Sequence, residues 1–388
     1  MDIRVYNKIA DEGLDILKNK GFTLNETNNP EGIILRSEEL NDLEFNDNLV
    51  AIARAGAGVN NIPIQRAIEN GIVVFNTPGA NANAVNELVF TSMVMAIRHM
   101  RFANQWVHTL VGEDIPKQVE AGKKQFKGSE IKGKTIGVIG LGSIGHMVGN
   151  TAVKLGMHVL GYDPYIKEEA AYRLDPQIQR VTDVQTIYQE ADFITIHVPY
   201  TQDNHHFIDK KAIDLMKKET ILLNFSRAEL IDVASVIAAL DNKNLRYYLT
   251  DFPEEALMNR SDCLLFPHLG ASTDEAEKIS AQMAANQLSD FILTGNIRYS
   301  VNFPNVQMDM ETACRLVIVN RNIPNMITLL VTELGEHQIN IVHLTNKSRG
   351  DYAYTLIDFD EQDPQVLQEL KEKIDANENI LSARLIRK

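Results

Sequence analysis

VIGLGSIG (138–145) is the stretch of this 388-residue chain on which its reading turns. It sets Gly140, Gly142 and Gly145 in G-x-G-x-x-G spacing, directly behind the apolar run TIGVI (135–139) and ahead of a helical pattern through Leu155. Each glycine answers a separate need: a tight turn, close approach of backbone N–H groups to a pyrophosphate, and close packing of helix on strand. Ser143 and Ile144 lie inside that loop, at the head of the helix, where the helix dipole favours negative charge. The pattern predicts a dinucleotide site. The next strand, HVLGYD (158–163), ends in Asp163, whose carboxylate suits ribose hydroxyls and repels a 2′-phosphate, so NAD is expected and not NADP.

Outward from this motif the same alternation continues through DFITIHV (192–198), TILLNFS (220–226), YYLTDF (247–252) and CLLFPH (263–268). Toward the N-terminus, DIRVYN (2–7), GIILRS (32–37), LVAIARA (49–55) and IVVFN (72–76) read as strands. Between them, 9–20 and 62–70 read as helices, each with a glycine just past its end. Strands alternating with helices imply parallel sheets. Long helical patterns at 84–100 and 274–293 make stems between domains, the second opening on the capping-box spacing Ser272-x-x-Glu275. After Met310 a βαββαβ order appears, which is a ferredoxin-like unit. The expected fold is α/β, with two Rossmann-like doubly wound parallel-sheet domains and a C-terminal ferredoxin-like α+β domain. Residues 1–95 with 288–306 form the first, 96–287 the second and 312–388 the third.

Reducing a 2-oxo acid with a nicotinamide needs a cation for the carboxylate, a proton donor titrating near neutrality and a group to hold that donor. Successive strand ends of the second domain carry Arg227, then Glu254 and Glu255, then His268. Carboxyl ends of parallel strands are where such sheets bind ligands. His197, Val198, Pro199, Phe225, Ser226, Asp251, Gly270 and Ala271 fall at the same ends and complete the expected cofactor contacts. No proton transfer is assigned to His197 or to the pair His205 and His206.

VIGLGSIG, NFSRAELID (224–232), TDFPEEAL (250–257) and PHLGAST (267–273), in that order, resemble the D-isomer-specific 2-hydroxyacid dehydrogenases over nearly all of residues 1–306. The likeness implies Arg227 as substrate clamp, His268 as acid/base and a glutamate as its partner. TDFPEEAL has one residue fewer than the D-V-F-x-x-E pattern, so Glu255 is the first choice and Glu254 the second; Asp251, or Thr250 in its place, is implied beside the nicotinamide amide. ILRSEEL (34–40) and IARAGAGVNNI (52–62) resemble the substrate-carboxylate loops, implying Arg36, Ser37, Arg54, Ala57 and Gly58 as substrate contacts, with Asn81. NTPGANANAVNEL (76–88) and SVNFP (300–304) resemble the phosphoglycerate dehydrogenase branch, which implies interconversion of 3-phosphoglycerate and 3-phosphohydroxypyruvate. A glyoxylate or hydroxypyruvate reductase and a non-catalytic NAD sensor are the alternative readings. The C-terminal unit resembles an ACT domain, in which Asn320, Asn322 and Asn340 would hold an effector such as serine. Asn325 stands in place of that loop's usual glycine.

Composition narrows the partners. A net charge of −14 argues against nucleic acid, whose phosphates demand clustered cations. Cys263 and Cys314 fit neither a disulfide framework nor a zinc site, and no metal is expected. No apolar run approaches the roughly 20 residues of a membrane span, and no signal core opens the chain. A cytoplasmic homodimer or homotetramer is the expected setting.

Overall fold

Successive side chains point to opposite faces of a strand, so the near-continuous apolar runs of the parallel strands give each sheet two apolar faces, and this is what fixes the layers. The computed structural model describes residues 1–388 apart from Lys167 and Gln362, and only the backbone of Glu169. It divides into two units, 1–80 with 277–388, and 81–276.

In the first unit β1 (Asp2–Val5), β2 (Thr23–Leu24), β3 (Gly32–Leu35), β4 (Ala51–Arg54) and β5 (Val73–Phe75) form a parallel sheet in the order β2-β1-β3-β4-β5. Ile34, Ala51, Ala53, Val73 and Phe75 face one core, while Ile33, Leu35, Ile52 and Val74 face the other. The 298–306 segment finishes this unit: Val301 N–H donates to Val74 O at 2.9 Å, and the Asn302 amide ties to Val74 and Ile72.

The second unit carries β6 (Thr135–Ile139), β7 (His158–Tyr162), β8 (Gln179–Arg180), β9 (Phe193–Ile196), β10 (Thr220–Asn224), β11 (Leu245–Thr250) and β12 (Cys263–Leu265). Their order, β12-β11-β10-β9-β6-β7-β8, is all parallel and reverses direction beside β6. At such a reversal the loops after neighbouring strands splay apart and leave a ligand crevice.

Both stems lie inside units instead of bridging at their midpoints. In helix Ala82–Ile97, Val85, Val89, Phe90 and Met93 are buried in the second unit's core, so the crossing falls at 80/81. In helix Asp274–Thr294, Ala281, Ala284, Leu288, Phe291 and Ile292 belong to the first unit's core, and the return crossing is at 276/277. The expected cap is displaced by one residue: Thr273 Oγ1, not Ser272, accepts a backbone N–H, that of Ala276, at 3.1 Å. Helices Met100–Val107 and Ile115–Gly122 fill a stretch whose sequence gives no clear period.

β13 (Cys314–Arg321), β14 (Ile341–Arg349), β15 (Tyr352–Phe359) and β16 (Ile380–Arg387) form an antiparallel sheet ordered β14-β15-β13-β16, with helices Met326–Glu336 and Pro364–Asp375 in the expected βαββαβ sequence. Leu316, Ile318, Ile357 and Phe359 pack under those helices. The opposite face, Val317, Val319, Tyr354 and Leu356, shares one core with Phe75 and Phe291 of the first unit. On that face Arg315 and Asp358 are fully buried as a bidentate pair, at 2.6 and 2.8 Å, and Arg315 also donates to Thr294 O.

Candidate active site

The glycine-rich loop leaves β6 with Gly140 at φ +90, a conformation open to glycine and costly for other residues. A Cβ there would stand 2.6 Å from His197 O. At Gly145, the buried first residue of helix Gly145–Lys154, a Cβ would overlap the Gly140 carbonyl oxygen. At Gly142 it would meet nothing within 4 Å. The first and third glycines therefore serve packing, and the middle one faces open space where a pyrophosphate fits. Ser143 beside it is exposed, and Ile144 caps the helix.

Asp163 follows β7 and braces this loop: its Oδ2 accepts Leu141 N–H and its Oδ1 accepts Tyr165 N–H, both at 2.9 Å. A carboxylate oxygen has a second lone pair, so the half-exposed group still has capacity for ribose hydroxyls. After β9, His197 Nε2 lies 3.0 Å from Thr195 Oγ1 while Nδ1 is sealed without a partner. Burial pushes its pKa down to about 3, so the ring is neutral. Val198 is half-buried and Pro199 exposed. Phe225 is buried against Phe266, and the Ser226 hydroxyl donates to Ile196 O at 2.5 Å. Open space at Gly142 and the orphaned acceptor on Asp251 described next are what an NAD molecule needs from this crevice.

Asp251 ends β11 and is 1% exposed. Its Oδ2 accepts Gly270 N–H at 3.0 Å, and its Oδ1 has no partner. Burial raises its pKa above the usual carboxylate value, opposed by the Gly270 N–H and by the charges of His268 and Arg227. His268 adopts φ +46, its backbone N–H donating to Asp251 O at 3.0 Å, and its ring meets Phe252 edge-on at 5.0 Å. Arg227 follows β10 in extended backbone; its Nη1 donates to Ser226 O, and buried Asn224 holds its carbonyl at 2.8 Å. Arg227 and His268 are exposed, as a substrate would require, and Ala271 is exposed beside Gly270. Asn224, Thr195 and Phe252 were not singled out by sequence, although Asn224 opens the NFSR stretch.

Neither glutamate meets the imidazole. Glu254 and Glu255 are exposed, and neither has a hydrogen bond or ion pair with His268. The shortened loop explains this: Glu255 opens a one-turn 3₁₀ helix, Glu255–Leu257, pinned by fully buried Leu257, and the turn directs both carboxylates to solvent. The buried carboxylate linked to His268 is Asp251, whose backbone carbonyl accepts the His268 N–H.

Within the first unit, Arg36, Ser37, Arg54, Ala57 and Gly58 gather at the ends of β3 and β4. Arg54 acts as a brace, its Nε donating to Arg36 O at 2.8 Å and its Nη1 to Gly58 O. Arg36 pairs with Glu277 at 2.7 Å. Ser37 N–H donates to Asn7 Oδ1, and Ala57 O accepts from Asn76. Asn81 is the N-cap residue of helix Ala82–Ile97 and belongs to the second unit. In the C-terminal sheet Asn320 is buried with Oδ1 unpartnered, whereas Asn322, bonded to Gly350 O, and Asn340 are exposed. Asn325 takes the left-handed φ of +70 that its loop requires.

Residues 90–270 match the model of the D-isomer specific 2-hydroxyacid dehydrogenase, NAD binding domain. The chain is 30% identical over 351 residues to D-3-phosphoglycerate dehydrogenase of Escherichia coli strain K12, covering 88% of this chain and 82% of that one. This chain belongs to the D-isomer specific 2-hydroxyacid dehydrogenase family. Another member, D-3-phosphoglycerate dehydrogenase of Methanocaldococcus jannaschii, is 38% identical over 274 residues, covering 69% of this chain and 50% of its own. The chain thus spans about half the length of the first curated relatives it matches. Among solved members, the NAD+-bound 3-phosphoglycerate dehydrogenase of Entamoeba histolytica aligns at a TM-score of 0.61 with 26% identity, over 78% of this chain and 98% of that one. Residues 90–270 accordingly carry the family's NAD-binding domain. Among the described residues no His, Cys, Asp and Glu cluster suits a metal, and no helix is long and apolar enough to cross a membrane.

Proposed function

We propose that this chain oxidises D-3-phosphoglycerate to 3-phosphohydroxypyruvate with NAD, the opening step of serine synthesis, in the cytoplasm and as a homodimer or homotetramer. The observation that carries the reading is the grouping of Arg227 and His268 around one buried, half-unpartnered carboxylate, Asp251, at adjoining strand ends. Relatives named D-3-phosphoglycerate dehydrogenase support the substrate.

Gly142, Asp163 and the Asp251 Oδ1 would hold the pyrophosphate, ribose and nicotinamide amide respectively. Bound there, NAD would supply the acceptor for the hydride from C2. Arg227 clamps the substrate carboxylate with its planar fork. His268 takes the C2 hydroxyl proton on its imidazole as the carbonyl forms, and returns it in the reverse direction. Asp251 holds the main chain of His268 through its backbone carbonyl, and the negative potential of its side chain favours the protonated imidazole. In the C-terminal sheet, read as an ACT domain, Asn320, Asn322 and Asn340 would receive serine as effector.

A panel followed by NADH absorbance tests this: 3-phosphoglycerate should turn over at least tenfold faster than glycerate, lactate or glycolate. A preference for the unphosphorylated acids overturns the substrate. His268→Ala should abolish turnover and leave NADH binding within about twofold; retained turnover removes the acid/base role.

A further inference from the structure

Apart from the dinucleotide crevice, the first unit carries a pocket of about 450 Å³ formed by the last turns of helix Asp274–Thr294, Lys20 and residues 296–299. That is within the size range of small-molecule sites. Its lining carries both signs of charge. Lys20 is on one wall, its Nζ donating to Ser289 Oγ at 2.8 Å. Arg298 is exposed and has no hydrogen-bond or ion-pair partner among the described residues. Asp290, half-buried, has among the described residues only the Thr294 hydroxyl as a side-chain partner, at 3.4 Å from Oδ1. Gln287 lines the same pocket, is 8% exposed, and neither its amide oxygen nor its amide nitrogen has a partner.

The geometry points to a binding site for a free α-amino acid. Its carboxylate pairs with Arg298 and Lys20 and its ammonium with Asp290, all three lining the pocket. A dianion such as phosphate would face Asp290, and a neutral sugar would leave Arg298 unanswered; a zwitterion meets both charges. Tyr299, 54% exposed, adds an aromatic wall that favours a side chain larger than a hydroxymethyl group. This site is separate from Asn320, Asn322 and Asn340. It also bears on the rest of the unit, because the helix that forms it ends in carbonyls at 291, 292 and 294 that Arg384 and Arg315 hold from the C-terminal sheet.

Calorimetric titration of the full chain with L-serine, L-glutamine and L-phenylalanine tests the site without reference to turnover, so its failure is distinct from failure of the dehydrogenase reading. At least one amino acid should bind saturably, with 3-phenylpropionate and phenethylamine at least tenfold weaker than L-phenylalanine. Arg298→Ala and Asp290→Asn should each weaken binding at least tenfold. Both altered groups border solvent, and a thermal melt checks that each variant folds. The proposal is overturned if none of the three amino acids binds, if a single-charge analogue binds as well as the amino acid, or if affinity survives Arg298→Ala and Asp290→Asn.

Discussion

Paired alanine substitutions at Gly142 and Gly145 separate cofactor binding from packing within one loop. At Gly145 the added methyl would fall on the Gly140 carbonyl, 2.9 Å from its carbon and 3.3 Å from Val138 Cγ1, so the helix must retreat from β6. Overpacking of this kind costs about 1–3 kcal/mol. At Gly142 a methyl meets nothing within 4 Å, and its φ is not positive, so stability should stay within about 0.5 kcal/mol of the parent. The same methyl would occupy the space a pyrophosphate needs. Losing one charge-assisted hydrogen bond costs about 1.5–3 kcal/mol, which is roughly a 10- to 100-fold rise in the NADH dissociation constant. Thermal melts and NADH fluorescence titrations read the two effects independently. Gly142→Ala binding NADH within twofold of the parent, or Gly145→Ala melting with the parent, would refute the division of labour among the glycines.

Acid should weaken the fold through His197. Its pKa is held at about 3 against an ordinary 6.5, so between those values the unfolded chain binds a proton that the folded one refuses. Stability is therefore complete above pH 6.5 and falls as pH drops, by about 2 kcal/mol at pH 5; urea titrations at pH 7.5 and 5 should show this loss reduced in His197→Asn, and an equal loss in both proteins rejects the assignment. Asp358→Ala strands the Arg315 guanidinium in the core and should cost about 3–5 kcal/mol by thermal or urea unfolding, whereas Arg315→Met with Asp358→Leu should come close to the parent. Glu255→Gln should lower kcat less than fivefold and Asp251→Asn more than tenfold, with the pH–rate profile shifted only in the latter; the reverse order would restore Glu255 as the partner of the imidazole.

The parallel sheets and the βαββαβ order were legible because strand alternation and glycine stops are local properties, and each predicted strand lies within two or three residues of the observed one. The shift from Ser272 to Thr273 at the cap shows the limit of spacing rules, since two hydroxyl residues in succession offer equivalent patterns and only backbone geometry chooses. The helices at 100–107 and 115–122 escaped because two short turns rich in polar residues carry too few apolar positions to set a period. Glu254 and Glu255 were ambiguous for a related reason: a one-residue deletion rotates a loop, and the anchor that decides its direction, Leu257, is a matter of tertiary packing. Arg54 could be read as a free cation from sequence, yet its guanidinium is spent in part on the carbonyls of Arg36 and Gly58.

The single core shared by the antiparallel sheet and the first parallel sheet makes residues 312–388 a poor candidate for clean excision. A chain stopped near 310 would uncover the apolar residues at 75 and 291 and release three helix-end carbonyls from their arginines. Such a fragment should aggregate on expression, and any recombination that grafts a different tail onto this dehydrogenase body must carry a matching inner face with it.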